Sequence, residues 1–436
     1  RMQTKALQLL HLCCSVVAVL CFLCTTQHIY LACATTAQAH TDNNVAFPHL
    51  KRPIILSHRG AGFLAPENTI DGMHLGLQLG AHVLELDVRL TKDGELVVFH
   101  VEVVDRVTNS VGFVANFTRE QLRELDAGYR FFVGHNTSRS SEPYPYRGKG
   151  IKIPTFRQLL NEFWGGPNAT LQQQKNNNDD EGEVKDNGDL HRISFNIEIK
   201  DDDVRAVDAL IREFSPYGLQ SITPYILVVS KYCDILNDFR LKTLPHRIPT
   251  GSCHSEVKSF VLSSKIRSAV RALTLENEWV DRSITGYLLA RDHTSSLQIP
   301  YNADGISLDT VDIVQHAHDQ RVEVHYWSLN SYDLMDHLLS IRTDGIITDR
   351  VDLAVRLFKE RGVYHTPPHR YGRKSRGTGS DDGDAQTGQS VETSRDTTTA
   401  TVAGTEHVIV ALVDKNESRD CVSVTCLLFE NMTLFI

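Results

Sequence analysis

The chain has no excess of positive charge. Its 45 lysines and arginines are outnumbered by 54 aspartates and glutamates, a formal charge of −9. A nucleic-acid binder shows a basic face, so that partner class is set aside. Beyond its first 40 residues the chain is also short of cysteine. Five of its nine cysteines (Cys13, Cys14, Cys21, Cys24 and Cys33) come early, leaving Cys233, Cys253, Cys421 and Cys426 for all the rest. Four thiols in so long a chain do not make a disulfide scaffold. A Cys233–Cys253 bridge would need neighbouring strands to bring the two together; two buried thiols are the simpler expectation. A clean membrane span is lacking as well, because His11, Gln27 and His28 interrupt the apolar residues 9–34.

What is present at the N-terminus is a targeting pattern. Arg1 and Lys5 precede an apolar stretch over residues 12–24, and Ala37-Gln38-Ala39 fits an A-x-A cleavage site. Residues 1–39 read either as a signal peptide or as an uncleaved anchor that would associate the protein with a membrane. Both readings send the following domain into the secretory pathway, lumenal or extracellular. Because residue 1 is arginine, the natural start is expected upstream. Sequons at Asn116, Asn136, Asn168, Asn416 and Asn431 agree with that route.

Residues 40–50 read as a linker and 51–364 as one catalytic-sized domain. Within it, 109–152 reads as an insertion rich in aromatics, and 172–189, poor in apolar residues, as a disordered loop. Residues 365–405 read as a low-complexity tail. Residues 406–436 turn apolar twice and remain unassigned.

Strand-like runs and amphipathic helical patterns alternate through the domain. Strands are expected at 54–56, 83–90, 96–100, 193–199, 226–229, 305–308, 322–327 and 345–348. Helices are expected at 68–79, 155–163, 204–214, 233–244, 311–320, 332–341 and 351–361, with a further helical stretch at 273–289 around Trp279. Repeated strand–helix units indicate a parallel sheet, and about eight of them favour a closed TIM (β/α)8 barrel with an insertion on its active face.

Five short stretches carry chemistry: Ser57-His58-Arg59-Gly60, Pro66-Glu67-Asn68-Thr69, Glu85-Leu86-Asp87, Phe99-His100 and Asn196-Ile197-Glu198-Ile199-Lys200. In a strand, side chains at i and i+2 share a face. Glu85 therefore projects with Asp87, and Glu198 with Lys200. The apolar neighbours Val83, Leu84, Leu86 and Val88 mark a buried strand with acids on one side, and buried carboxylates need a partner. Glu85, Asp87 and Glu198 suit a hard divalent cation, Mg²⁺ or Ca²⁺, rather than zinc. His58 and His100, at strand ends, suit proton transfer near neutral pH. Arg59 offers a bidentate fork and Lys200 a point charge for a phosphate. The combination points to metal-assisted cleavage of a phosphodiester.

The order of these stretches resembles the glycerophosphodiester phosphodiesterase family. Its pattern is read in His58-Arg59-Gly60, Pro66-Glu67-Asn68-Thr69, Glu85-Leu86-Asp87-Val88, Thr91-Lys92-Asp93-Gly94 and Glu198-Ile199-Lys200. The likeness continues through Leu125-Asp126-Ala127-Gly128, Ile153-Pro154-Thr155-Phe156, Tyr326-Trp327-Ser328-Leu329-Asn330 and Asp344-Gly345-Ile346-Ile347-Thr348-Asp349. The resemblance implies a barrel that hydrolyses glycerophosphodiesters to glycerol 3-phosphate and an alcohol. Membrane-tethered relatives that accept lysophospholipids make a lysophospholipase D the close alternative.

One position departs: the family's His-Asp reads His100-Val101. That Asp either supports its loop or tunes His100, and its loss keeps open a catalytically decayed barrel serving as a binding protein. On the enzymatic reading His58 is taken as base and His100 as acid. Trp327 is taken either as an apolar wall for the alcohol or lipid portion or as core. Glu67 and Asn68 are expected to hold their loop and cap the next helix. His316, His318, His325 and His337 are read as surface or core residues.

Overall fold

The computed structural model describes residues 45–132, 143–165, 192–272, 294–303 and 305–368. The leader 1–39, the loop 172–189, the stretch around Trp279 and all but the first residues of the 365–405 tail lie outside them, as does 406–436.

The strands, in chain order, are β1 (Ile54–Ser57), β2 (Val83–Leu90), β3 (Leu96–Val98), β4 (Ser194–Ile199), β5 (Ile226–Val229), β6 (Thr250–Gly251), β7 (Thr294–Pro300), β8 (Asn302–Ala303), β9 (Ile306–Ser307), β10 (Glu323–Trp327) and β11 (Gly345–Thr348). Around the ring run β1, β2, β4, β5, β6, β7, β10 and β11, every pairing parallel. Because β1 pairs with both β2 and β11, the sheet closes into an eight-stranded barrel surrounded by helices, the expected TIM fold. β3 lies antiparallel on β2, and β8 with β9 forms a small separate hairpin.

Alternation along each strand decides what faces inward. Leu84, Leu86 and Val88 turn outward and pack with Phe156, Leu159 and Leu160 of the helix Phe156–Trp164. Ile54, Leu56, Val83, Leu227, Val229 and Ile347 turn inward and form an apolar floor with Ala46, Phe47 and Leu50 from the segment preceding β1. Phe47 is fully buried there, a contribution of about 1.5–3 kcal/mol by area. The interior also carries polar groups, beginning at the level of that floor, where Arg52 donates to the Leu50 carbonyl at 2.9 Å. Arg52 pairs with Glu323, Glu323 Oε2 lies 3.1 Å from His325 Nε2, and Asn196 Nδ2 donates to Gln298 Oε1 at 3.2 Å.

Three expectations need correction. The run 305–308 is no barrel stave; it holds only the hairpin arm β9, and the stave is β7. Thr294–Pro300 reads TSSLQIP, too polar to look like a buried strand because Gln298 faces the polar interior. The two-residue β6 went unanticipated for its brevity, as did the helix His254–Ala272 that follows it. Third, Cys233 and Cys253 are not two free thiols. They form a disulfide with Cα atoms 5.1 Å apart, because β5 and β6 are neighbours and each cysteine follows its strand closely.

The described part of the insertion has a small core of its own. Val114, Leu122, Ala127 and Ile151 bury against Val97, Phe99 and Val104. The Arg147 guanidinium stacks over Tyr144 at 3.8 Å and Tyr129 at 4.3 Å.

Candidate active site

Glu85 and Asp87 occupy inward positions of β2 and are 4% and 1% exposed. In register, Asp87 sits beside Glu198 of β4. One oxygen from each of Glu85, Asp87 and Glu198 lies within 4.8 Å of the other two. Such crowding is electrostatically costly. Burial and the charge of Asp87 push the Glu85 carboxyl up to about 7. Burial also raises Glu198, with Lys200 acting against it. Asp87 ends below its ordinary value despite its burial, because Lys200 and Arg59 favour its anion.

Lys200 Nζ lies 2.8 Å from Glu198 and 3.1 Å from Asp87. The Glu198 contact lies inside the mouth of the barrel, and the neighbouring Asp201 pairs with Arg89. Asp87 Oδ1 is buried and accepts no hydrogen bond. Three converging carboxylates, one of them destabilised as an anion, fit a hard divalent cation.

The loop after β1 is built around this cluster. Arg59 and Asn68 both take left-handed backbone angles, φ 51° and 55°, a conformation that costs non-glycine residues energy and concentrates at functional sites. Gly60 at φ 77° also meets the next helix so closely that a Cβ would lie 2.5 Å from Met73 N. The conformation directs Arg59 N–H to Glu85 Oε2 at 2.8 Å and leaves its side chain 3.4 Å from Asp87. Asn68 does not cap the helix Ile70–Leu79. Thr69 does so, accepting from Gly72 N, while Asn68 donates to Asp87 Oδ2 at 2.8 Å and accepts from Asp87 N at 3.2 Å. Glu67 pairs with Arg59 and Arg106.

The two histidines flank the acids from different loops. His58 Nδ1 donates to Asp349 Oδ1 at 2.7 Å. Asp349 Oδ2 in turn accepts from Asn330 Nδ2 at 2.8 Å. Burial works against the His58 cation, but Glu85 and Asp349 outweigh it and its pKa is raised. His100 is the opposite case. Burial, aided by Lys200 and Arg59 against the pull of Asp87, lowers it to about 4, and its buried Nδ1 makes no hydrogen bond. Its carbonyl accepts from Arg89 Nε at 2.8 Å, and Arg89 is fixed by Asp201 at 2.6 Å.

Trp327 ends β10 and is 42% exposed, so it is not core. Val101 packs against the insertion's apolar cluster. Asp349, Asn330, Arg89 and Asp201 received no role from the sequence. The signal available was that Asp349 and Asn330 close two of the recognisable stretches at strand ends.

The profile of the glycerophosphoryl diester phosphodiesterase family matches residues 58–353, a span holding every side chain just described. The chain belongs to that family. A glycerophosphodiester phosphodiesterase of Caldanaerobacter subterraneus subsp. tengcongensis is 51% identical over 80 residues, 18% of this chain and 33% of that protein. The Bacillus subtilis glycerophosphodiester phosphodiesterase is 35% identical over 133 residues, 30% of this chain and 42% of that one. The chain thus spans less than half the length of these curated relatives. Among solved structures, a glycerophosphodiester phosphodiesterase from Agrobacterium tumefaciens is 23% identical, covering 69% of this chain and 98% of its own, with a TM-score of 0.45. A phosphodiesterase of Oleispira antarctica, solved with the product sn-glycerol-3-phosphate, is 18% identical, covering 71% and 97%, with a TM-score of 0.47.

Proposed function

We propose that this family member is a divalent-cation-dependent phosphodiesterase that hydrolyses glycerophosphodiesters to glycerol 3-phosphate and an alcohol. The observation that carries the reading is the convergence of Glu85, Asp87 and Glu198 within 4.8 Å, with Arg59 and Lys200 beside them and a histidine on either flank. Glu85, Asp87 and Glu198 would hold Mg²⁺ or Ca²⁺, which supplies charge stabilisation to a phosphoryl oxygen. Arg59 and Lys200 bind the phosphate and balance the charge that develops on it.

Each histidine moves one proton. The hydrogen bonds of the two rings support the reverse of the assignment expected from the sequence, since Asp349 holds His58 Nδ1 while His100 Nδ1 has no hydrogen-bond partner. His58, whose imidazolium is held by Asp349, delivers a proton to the leaving alkoxide. His100, held near 4, is unprotonated at neutral pH and accepts a proton from the attacking hydroxyl, whether of water or of the substrate's own neighbouring carbon. Loss of either group typically costs about 10²–10⁴-fold.

A second reading, lysophospholipase D, draws on the exposed aromatics at the mouth. Trp327 ends β10, Tyr301 and Phe63 follow β7 and β1, and the three are 42%, 44% and 61% exposed, a surface suited to an acyl chain. Among the described residues no helix is long and apolar enough to cross a membrane. The disulfide and the exposed sequon residue Asn116 support a secretory route.

The deciding experiment assays the full chain on glycerophosphocholine and lysophosphatidylcholine with Mg²⁺, Ca²⁺ or excess chelator. Cation-dependent release of choline from the first substrate supports the main reading, and preference for the second supports the lipid reading. Failure on both with the cation demonstrably bound would establish the decayed barrel.

A further inference from the structure

Arg106 belongs to none of the groups assigned above. It lies in a short turn, Val104–Arg106, six residues after His100, on the loop neighbouring the one that carries His58. Both of its terminal nitrogens reach Glu67; Nη1 donates to Oε2 at 2.8 Å, and Nη2 donates to Oε1. The same Glu67 Oε2 lies 3.4 Å from Arg59 Nη1. On its inner side Arg59 Nε lies 3.4 Å from Asp87 Oδ2, an oxygen already accepting from Asn68.

The guanidinium of Arg59 is therefore suspended between an inner and an outer carboxylate. Left alone, the inner one would draw Arg59 down onto Asp87, where its fork faces a carboxylate rather than a ligand. Glu67 supplies the counter-pull, and it can do so only if held in place. A carboxylate gripped at both oxygens by an arginine fork has its direction fixed. At 16% side-chain exposure Glu67 is also shielded from much of the competing water, whereas Arg106 is 44% exposed.

We infer that Arg106 is a positioning residue: through Glu67 it sets the Arg59 guanidinium for the phosphate, and the Glu67–Arg106 pair latches the His58 loop to the His100 loop. The inference rests on Arg59 being a phosphate ligand, as proposed above. It assigns Arg106 no contact with substrate and predicts that Arg106 matters only while Arg59 is present.

The test uses the full chain with Mg²⁺ and measures inorganic phosphate affinity by calorimetry, alongside KM and kcat on glycerophosphocholine. Arg59→Gln, Arg106→Gln, Arg106→Lys and the Arg59→Gln/Arg106→Gln double variant are compared. Arg106→Gln should weaken phosphate binding and raise KM by about tenfold, a coupling within the range for residues in one network, with kcat less affected. Arg106→Lys, which keeps the charge but loses the fork, should fall between. In the Arg59→Gln background, Arg106→Gln should add nothing. Should Arg106→Gln lower the melting temperature, Glu67→Gln provides the same comparison without touching Arg106.

Phosphate affinity unchanged by Arg59→Gln would overturn the role of Arg59 and the latch together. Affinity lost in Arg59→Gln but kept in both Arg106→Gln and Glu67→Gln overturns the latch alone. An additive loss in the double variant overturns it too, since Arg106 would then meet the anion independently.

Discussion

Replacing Asp349 by asparagine tests the proton assignment through a group that never meets the substrate. Asp349 Oδ1 accepts from His58 Nδ1 at 2.7 Å, with the two side chains only 13% and 20% exposed. Asn330 fixes the geometry of the replacement. Its Nδ2 donates to Asp349 Oδ2, while its Oδ1 accepts from Asp349 N and Thr348 Oγ1. An amide at position 349 must therefore turn its oxygen to Asn330 and its NH₂ to His58, where it cannot accept the Nδ1 proton. The imidazolium loses a charge-assisted hydrogen bond worth about 1.5–3 kcal/mol, equivalent to about one to two pKa units. If His58 is the acid, the alkaline limb of kcat/KM moves down by that amount. Above both limbs the loss is then about 10–100-fold, and the two proteins converge as pH falls.

Stability should follow the opposite trend. The His58 pKa is raised in the folded state, so its contribution is complete below its unfolded value of about 6.5 and disappears as pH rises through the folded one. The Asp349 pKa is lowered, so its contribution is present above an unfolded value of about 3.9 and lost only as pH falls through the folded one. Asp349→Asn should depress the melting temperature most near pH 5–6 and least near pH 9, while its kinetic deficit grows over that interval. Rate profiles and melts in the same buffers read both. An unmoved alkaline limb, or an equal loss at every pH, refutes His58 as the acid.

Glu198→Gln should leave the melting temperature of the metal-free protein intact while weakening Mg²⁺ binding at least about tenfold by calorimetry; unchanged affinity would remove Glu198 from the ligand set. Val101→Asp should cost about 1–3 kcal/mol in denaturant melts, because it sets a carboxylate on the insertion's apolar cluster. Its pH–rate profile should not move, and a shifted limb would show that position 101 faces His100. Cys253→Ser opens a loop spanning 20 residues, which by chain entropy lowers stability by about 3 kcal/mol; an equal melting temperature with and without reductant would show that the bond does not form in solution.

The acidic site was legible because its signal is local. Glu85 and Asp87 stand two apart among valines and leucines, and only a buried strand explains that pattern. The same logic failed at β7, where Thr294, Ser296 and Gln298 take the inward positions and Ser295 interrupts the outward row of Leu297 and Ile299, so the apolar alternation disappears. Asp349 escaped for a different reason. Its partner His58 is 291 residues away, and no periodicity encodes a contact made when a barrel closes. The disulfide was missed likewise, since spacing could not show that β5 and β6 lie side by side. Thr69 rather than Asn68 caps its helix because Asn68 is held in the left-handed region by two hydrogen bonds to Asp87, which orient that side chain away from the helix.

β1 is stitched to β2 on one edge and to β11 on the other, so the first and last staves meet at a seam. The His58–Asp349 hydrogen bond straddles it. During synthesis β2 and β4 can pair and bring their carboxylates together long before β11 exists, but His58 lacks Asp349 until that residue has emerged and the seam has shut. Non-local pairings of this kind form late and slowly. A half-made chain can therefore collect its acidic residues without the oriented histidine, and hydrolytic competence arrives only with closure. Turnover becomes a direct reporter of ring closure during refolding, appearing after the far-ultraviolet signal of strands and helices is already in place.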